Sequence, residues 1–235
     1  MRFSVDGNVI TFDDGGMNLL SSDALRELKE VADALVRQPR VSAAKAAPAD
    51  EGVRHSIVFR SGRPHIFAAG ADMAEMARFT ALEAYDFARL GQETFAAIER
   101  LPFLTIAAID GDCFGGALDL VMAFDLRFAT ERSRFSHPGA KLGIVTGFGG
   151  TSRWRRVIES GAARKLFLAN PILSANEALD IGLIDGIGEP RIPDADPMTV
   201  GFVKELVLHG QRLTQNQLAL LADRLGHIYF ENDER

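Results

Sequence analysis

One carboxylate, that of Asp119, lies within a run of apolar residues that follows two adjacent glycines, Gly115 and Gly116. A carboxylate with apolar neighbours is costly to bury unless it is paired, hydrogen-bonded or used in a reaction. Active sites often place carboxyl groups in such surroundings for proton transfer. Asp119 is therefore the leading candidate for a general acid or base, and a purely structural, hydrogen-bonded role is the alternative.

Four other side chains could contribute to chemistry. His137 is titratable and lies in a glycine-rich stretch, so it could act with Asp119 in proton transfer or only hydrogen-bond to the backbone. Ser136 and Thr146 are weaker candidates for positioning a water molecule. Cys113 is interpreted as a small packing residue, because no paired histidine is evident to activate its thiol.

Two turns built from small residues offer backbone chemistry. One has the sequence FAAGAD at residues 67–72, and the other has GDCFGGALD at residues 111–119. The first N–H groups of a helix have no partner within the helix. Two such turns side by side could therefore aim two donors at one oxygen atom and form an oxyanion hole. Close packing of a helix on a strand also requires small residues, and this alternative stays open.

The composition limits the class of protein. It is 47% hydrophobic and 25% charged over 235 residues, which is typical of a globular protein with a sizeable core. A net charge of −6 argues against a surface for nucleic acid or anionic membranes. No apolar stretch approaches the ~20 residues of a membrane span, and the amino terminus lacks the pattern of a signal peptide. We therefore expect a cytoplasmic protein.

Several common motifs are missing from the sequence. The glycine spacing at residues 111–116 differs from the dinucleotide fingerprint, and we find no P-loop, no HExxH and no GxSxG. The five histidines are scattered, so no metal site is expected. These absences argue against nucleotide-dependent redox chemistry, ATP hydrolysis and serine hydrolysis.

Strand-like and helix-like segments alternate along the chain, which predicts an α/β fold with parallel strand pairs. Strands are predicted at residues 2–12 (with a turn at 6–8), 56–59, 104–109 and 126–129. Helices are predicted at about residues 22–38, 81–100, from 116, and at 161–168, 176–181, 200–208 and 214–225. Residues 66–76 are interpreted as a turn that enters a helix, and residues 39–52 as a loop.

The sequence resembles the crotonase, or enoyl-CoA hydratase/isomerase, superfamily. FAAGAD is similar to the superfamily's F-x-A-G-A-D turn, and GDCFGGALDL is similar to N-G-x-x-x-G-G-G-x-E-L. Residues 135–151, FSHPGAKLGIVTGFGGT, resemble F-x-x-P-E-x-x-L-G-x-x-P-G-x-G-G-T, and residues 172–185 resemble I-x-A-x-E-A followed by G-L-V. The likeness runs in order over about residues 2–230.

The resemblance implies a crotonase-type spiral of repeated β-β-α units over residues 1–195. A helical region at residues 196–235 would then serve oligomerisation, giving a homotrimer or a dimer of trimers. The substrate would be an acyl-CoA thioester. No metal or redox cofactor is implied, because CoA enters as part of the substrate.

The resemblance also assigns site residues. The backbone N–H groups of Ala71 and Gly116 would form the oxyanion hole that holds the thioester oxygen as an enolate develops. Substrate and CoA would contact a further set of small or polar residues, namely Ala69, Gly70, Asp72, Gly115 and Gly139.

The departures from the superfamily pattern affect the expected reaction. Hydratases of this superfamily use two glutamates; Asp119 occupies the first of these positions and Gly139 the second. Hydration needs one group for water and another for the α-carbon. We therefore expect isomerase or decarboxylase chemistry rather than efficient hydration. The alternatives are a catalytically weak or inactive acyl-CoA-binding subunit and a C–C bond hydrolase of the same fold.

Overall fold

The computed structural model describes residues 1–37, 56–193 and, except for 202 and 205, 200–207. The chain divides into two compact units, Met1–Pro193 and Asp194–Arg235. In the second unit the described residues are helical, in agreement with the helix predicted at 200–208. The predicted loop at 39–52 and helix at 214–225 lie outside the described residues. The proposed role of the carboxyl-terminal region in oligomerisation stays a prediction.

The strands of the described residues are short. They are Phe3–Asp6 (β1), Val9–Phe12 (β2), Leu19–Leu20 (β3), Ser56–Ser61 (β4), Ile66–Ala68 (β5), Gly70–Ala71 (β6), Leu104–Ile109 (β7), Asp112–Phe114 (β8), Leu126–Ala129 (β9), Arg134–Ser136 (β10), Leu173–Ser174 (β11) and Gly186–Ile187 (β12).

The helices of the first unit vary more in length. They are Ser22–Arg37 (α1), Met73–Met76 (α2), Ala81–Glu99 (α3), Gly116–Val121 (α4), Gly150–Val157 (α5), Ser160–Ala169 (α6) and Ala175–Asp180 (α7), with a 3-10 turn at Ala140–Leu142. Among the described residues, no helix combines the length and the apolar character that crossing a membrane requires.

The strands are arranged in three sheets. The largest has six strands in the order β1-β2-β4-β7-β9-β12, a second has four in the order β11-β10-β8-β5, and β3 pairs with β6. Strands β1 and β2 form an antiparallel hairpin, so the segment predicted at residues 2–12 is two strands around the predicted turn. The remaining pairs of the largest sheet are parallel, as the alternation of strands and helices predicted.

One pattern repeats along the chain. Strand β4 of the large sheet is followed by β5 of the four-stranded sheet and then by α3; β7, β8 and α4 repeat this order, as do β9, β10 and α5. Each repeat adds a parallel strand to both sheets, so the chain advances as a spiral. The α/β fold with a spiral of β-β-α units, which the sequence predicted, is confirmed.

The aromatic core connects the large sheet to the first small-residue turn. The ring of Phe3 stacks on that of Phe12 at 4.4 Å between centroids, and Phe59 contacts both Phe67 at 5.8 Å and Phe124 at 5.5 Å. All five side chains are buried. Because Phe67 begins the FAAGAD turn, this packing fixes where the turn leaves the core.

Asn18 holds the same turn through hydrogen bonds. Its fully buried side chain donates to the carbonyl oxygen of Phe12 at 3.0 Å, to that of Phe67 at 3.1 Å and to Ser61 Oγ at 2.8 Å. Its φ of 53° lies in the left-handed region, which asparagine tolerates better than most residues. Asn18 thereby links β2, β4 and β5. It directly precedes β3, the strand that pairs with β6.

We predict that Asn18→Ala lowers the free energy of unfolding by about 2–3 kcal/mol, because buried carbonyl groups lose their donor. Urea denaturation followed by circular dichroism measures this change. The matched control is Asn8→Ala, since Asn8 is exposed in the hairpin turn and its change should stay within about 0.5 kcal/mol. Equal stability of the two variants would contradict the role given to Asn18.

Candidate active site

The two small-residue turns meet at their backbones. A Cβ atom added to Gly70 would lie 3.1 Å from the amide nitrogen of Gly116, and one added to Gly116 would lie 3.4 Å from that of Ala71. Gly70 has a φ of 99° and lies against the Phe114 carbonyl oxygen, where a Cβ atom would be at only 2.7 Å. The glycines are thus required for the amides of Ala71 and Gly116 to lie side by side.

Each amide is positioned by a regular element. Ala71 lies in β6, whose parallel pairing with Leu19 and Leu20 of β3 fixes its direction. Gly116 is the first residue of α4, so its N–H group is one of the donors that a helix leaves without an internal acceptor. The Gly115 amide donates to the Ser136 carbonyl at 2.9 Å, which holds the helix start against β10.

A cavity of about 330 Å³ lies beside these amides. Predicted site residues that line it are Ala69, Gly70, Ala71, Gly115, Gly116, His137 and Gly139. Most of the remaining wall is apolar and includes Met73, Met76, Phe79, Phe87, Leu142, Ile144, Val145 and Phe148. Only His137 and Thr146 bring polar side chains to the described wall.

Asp72 and Asp119, the two predicted site residues with carboxylates, do not line the cavity. Asp72 is the amino-terminal cap of α2, because its Oδ1 accepts hydrogen bonds from the amides of Ala74 at 2.9 Å and Glu75 at 3.0 Å. The Asp72 side chain thus holds the helix that follows the first turn.

Asp119 is fully buried and hydrogen-bonded on both carboxylate oxygens. Its Oδ1 accepts from Trp154 Nε1 at 3.0 Å, and its Oδ2 accepts from Thr146 Oγ1. Nε2 of His137 lies 3.4 Å from the same Oδ2. Because both polar side chains of the cavity wall contact Asp119, this carboxylate lies one layer behind the wall.

A glycine makes this placement possible. A Cβ atom on Gly150, the first residue of α5, would lie 1.8 Å from Asp119 Oδ1. Any larger residue would therefore displace the carboxylate from Trp154, one turn further along the same helix. The hydrogen bond between Trp154 and Asp119 requires that α5 lie close to α4.

His137 is buried, with 3% of its surface exposed, and its ring is packed between aromatic side chains. The ring centroid lies 4.7 Å from that of Phe167 and 5.9 Å from that of Trp154. Its Nδ1 atom is buried without a hydrogen-bond partner among the described residues. A Cβ atom on Gly139 would lie 3.2 Å from this Nδ1, so glycine at this position leaves space beside the ring.

Phe148 covers the start of α4. Cβ atoms on Gly91 of α3 and on Gly116 would lie 2.1 Å and 2.9 Å from its ring. Its carbonyl oxygen accepts from Nη1 of Arg153 at 2.9 Å. Arg153 is only 6% exposed and pairs with Glu99 of α3, so it belongs to the interior that holds Phe148 in place.

The remaining candidates have structural contacts. Cys113 is fully buried, and burial, followed by the negative charges of Asp119 and Asp112, raises the pKa of its thiol well above the ordinary value. A thiol kept protonated is a poor nucleophile, in agreement with a packing role. Ser136 donates to Asn170 Oδ1 at 2.7 Å and does not line the cavity.

The sequence reasoning missed three residues that shape the site, Phe148, Gly150 and Trp154. They lie at the end of the glycine-rich segment and at the start of α5, a helix that was not predicted. One signal in the sequence could have pointed to Trp154. It is the only tryptophan of the chain, and buried indoles usually find a hydrogen-bond acceptor.

The comparisons with known proteins agree with this architecture. A family model described as enoyl-CoA hydratase/isomerase matches residues 8–190. The chain belongs to the enoyl-CoA hydratase/isomerase family. It is 33% identical over 206 residues to a crotonyl-CoA hydratase of Syntrophomonas wolfei, covering 87% of this chain and 70% of that protein.

Two further relatives extend the comparison. A mitochondrial methylglutaconyl-CoA hydratase of Mus musculus is 36% identical over 210 residues, covering 89% of this chain and 62% of that protein. The crystal structure of an enoyl-CoA hydratase from Bacillus anthracis superposes with a TM-score of 0.78 at 25% identity, covering 100% of this chain and 97% of that one. The superposition agrees with the family's fold for the described residues.

We predict that Gly91→Ala destabilises the protein by about 1–2 kcal/mol. The added methyl group displaces the Phe148 ring, and overpacking of this kind outweighs the better helix propensity of alanine. Gly161→Ala is the matched control, because a Cβ atom on Gly161 of α6 meets nothing within 4 Å. That change should raise the free energy of unfolding by roughly 0.5 kcal/mol. Thermal unfolding measures both, and a stabilised Gly91→Ala would contradict the packing.

Proposed function

We propose that the chain acts on acyl-CoA thioesters by stabilising their enolates with the amides of Ala71 and Gly116. The observation that carries this proposal is the side-by-side position of these two amides at the wall of an apolar cavity. Two N–H donors aimed at one oxygen stabilise the negative charge that a thioester oxygen gains when a neighbouring C–H bond loses its proton. Membership of the enoyl-CoA hydratase/isomerase family supports the same substrate class.

Proton transfer is assigned to the cluster of Asp119, His137 and Thr146. His137 and Thr146 each contact Asp119, and these two side chains line the cavity. A group that takes a proton from one carbon and returns it to another isomerises an enoyl-CoA, and this chemistry needs no second carboxylate. The wall carries glycine where the family's second glutamate would stand, so we favour isomerisation over efficient hydration.

Hydration is the second candidate, because the relatives named above are called hydratases. Decarboxylation was also expected from the sequence. It receives less support, because a substrate carboxylate would find no lysine or arginine among the described residues that line the cavity. Burying a charge without a partner is costly. We therefore propose a neutral, apolar acyl group as the substrate class.

Contacts with CoA and the assembly of subunits complete the proposal. Ala69, Gly70, Gly115 and Gly139 line the cavity and would lie along the thioester and its pantetheine arm. Asp72 would contribute by holding α2 beside this path. A homotrimer or a dimer of trimers, assembled through the region 196–235, is proposed on the family resemblance.

The proposed function is tested by incubating the protein with single acyl-CoAs in deuterated water, followed by mass spectrometry. Butyryl-CoA should gain deuterium at the carbon next to the thioester, because enolate formation exchanges this proton without a net reaction. A 3-enoyl-CoA should be converted to its 2-enoyl isomer. Binding of these thioesters without exchange would favour the inactive acyl-CoA-binding subunit, and cleavage of free diketones without thioester binding would favour the C–C bond hydrolase.

We predict that Gly116→Pro lowers the exchange rate about 100-fold or more relative to Gly116→Ala, because proline removes one oxyanion donor. Proline is tolerated at the first position of a helix. Both variants push against Phe148, so the alanine variant controls for that displacement. Circular dichroism first verifies that both variants fold, and deuterium exchange assays then compare their rates. Equal rates would exclude the Gly116 amide as a donor.

A carboxylate on the acyl chain should weaken binding by at least about tenfold, or ~1.4 kcal/mol. Trp154 is the only tryptophan and lies beside His137 of the wall, so its fluorescence can follow a titration. The matched pair is crotonyl-CoA and glutaconyl-CoA, which differ by the terminal carboxylate. Equal affinity for the two would contradict the proposed neutral acyl group.

A further inference from the structure

We infer that His137 is the catalytic residue for proton transfer, acting through its Nδ1 atom, and that Asp119 is a positioning residue that holds the imidazole ring. The inference rests on the proposed function and names the atom that would move the proton. It divides the roles within the cluster, in which sequence reasoning gave first place to Asp119.

Accessibility distinguishes the two side chains. Asp119 is fully buried and absent from the cavity wall, whereas His137 belongs to the wall. The carboxylate already accepts hydrogen bonds from Trp154 and Thr146, and His137 approaches the oxygen that Thr146 contacts. A substrate in the cavity thus meets the imidazole before it could meet the carboxylate.

The contacts of Asp119 set the tautomer of the ring. Trp154 Nε1 and Thr146 Oγ1 both donate to Asp119, and two donors match an ionised carboxylate, which can only accept. The hydrogen of a neutral His137 then lies on Nε2, 3.4 Å from Asp119 Oδ2. Nδ1 is left with a free lone pair, which is the requirement for a base.

Nδ1 is also the atom without a partner. It is buried and makes no hydrogen bond to any described residue, although buried polar atoms are nearly always satisfied. The ring edge formed by Cε1 and Nδ1 faces Gly139, where an added Cβ atom would lie 3.1 Å and 3.2 Å from these atoms. Gly139 itself lines the cavity, so the unpartnered nitrogen lies against a residue of the cavity wall.

The proposed proton transfer needs no reactant other than the thioester. Nδ1 takes a proton from the carbon next to the thioester, and the electrons of that C–H bond form the enolate. The negative charge moves to the thioester oxygen, beside the amides of Ala71 and Gly116. The imidazolium, whose charge the Asp119 carboxylate stabilises, returns the proton to the same carbon or, in an enoyl chain, to a different one.

His137→Gln tests the catalytic assignment, because glutamine can keep a hydrogen bond to Asp119 but has no basic nitrogen. Deuterium exchange into butyryl-CoA should fall about 100-fold or more, while Trp154 fluorescence shows that the thioester still binds. The matched control is His65→Asn; His65 is exposed, has a φ of 63° that asparagine tolerates, and should exchange at the wild-type rate.

Asp119→Asn tests the positioning role. Its amide oxygen can still accept from Trp154, so its NH₂ group faces Nε2 of His137 and forces the ring hydrogen onto Nδ1. We expect a loss of kcat with little change in KM. Nitrogen NMR at a pH that keeps the ring neutral should show the Nε2–H form of His137 in the wild type and the Nδ1–H form in the variant.

Three results would overturn the inference. Exchange that persists in His137→Gln but is lost in Asp119→Asn would make Asp119 the catalytic residue and leave the proposed function intact. An Nδ1–H tautomer in the wild type would remove the base. Wild-type protein that binds thioesters without exchanging them would overturn the proposed function together with the inference.

Discussion

The site depends on one buried interaction, the set of hydrogen bonds around the Asp119 carboxylate. A carboxylate without solvent is destabilising by several kcal/mol unless donors compensate it. Its donors, Trp154 and Thr146, come from α5 and from the loop before it, and His137 comes from the segment after β10. Satisfying one charge therefore holds α4 against a segment that lies 18 to 35 residues further along the chain, and residues 137–148 of this segment form much of the cavity wall.

The second constraint is the close approach of backbones. The amides of Ala71 and Gly116 lie side by side only because no Cβ atom separates their turns, and α5 reaches Asp119 only because it begins with Gly150. Gly139 likewise lacks the Cβ atom that would crowd the imidazole of His137. With a cavity bounded by backbone donors and one imidazole, the proposed proton transfer does not require a second carboxylate in the position that Gly139 occupies.

The long elements and some short ones, such as the strand at 126–129, could be predicted from the sequence, whereas the strands of two or three residues could not. Helices α1 and α3 have apolar residues at helical spacing over four or more turns, and the strands at 56–61 and 104–109 each contain at least three consecutive apolar residues. Strands such as β8 and β10 contain only three residues, too few to show a period. Their pairing is fixed by the neighbouring turns of the spiral, which are distant in sequence.

The sequence by itself determined the α/β class, the two small-residue turns and the family, because these follow from local patterns and from motifs with fixed spacing. Only the tertiary structure decided that Asp119 lies behind the cavity wall and that one nitrogen of His137 has no hydrogen-bond partner among the described residues. The physical reason is that burial and hydrogen bonding depend on partners far along the chain. Trp154 lies 35 residues after Asp119, so a local sequence pattern cannot predict that its indole will hydrogen-bond to this carboxylate.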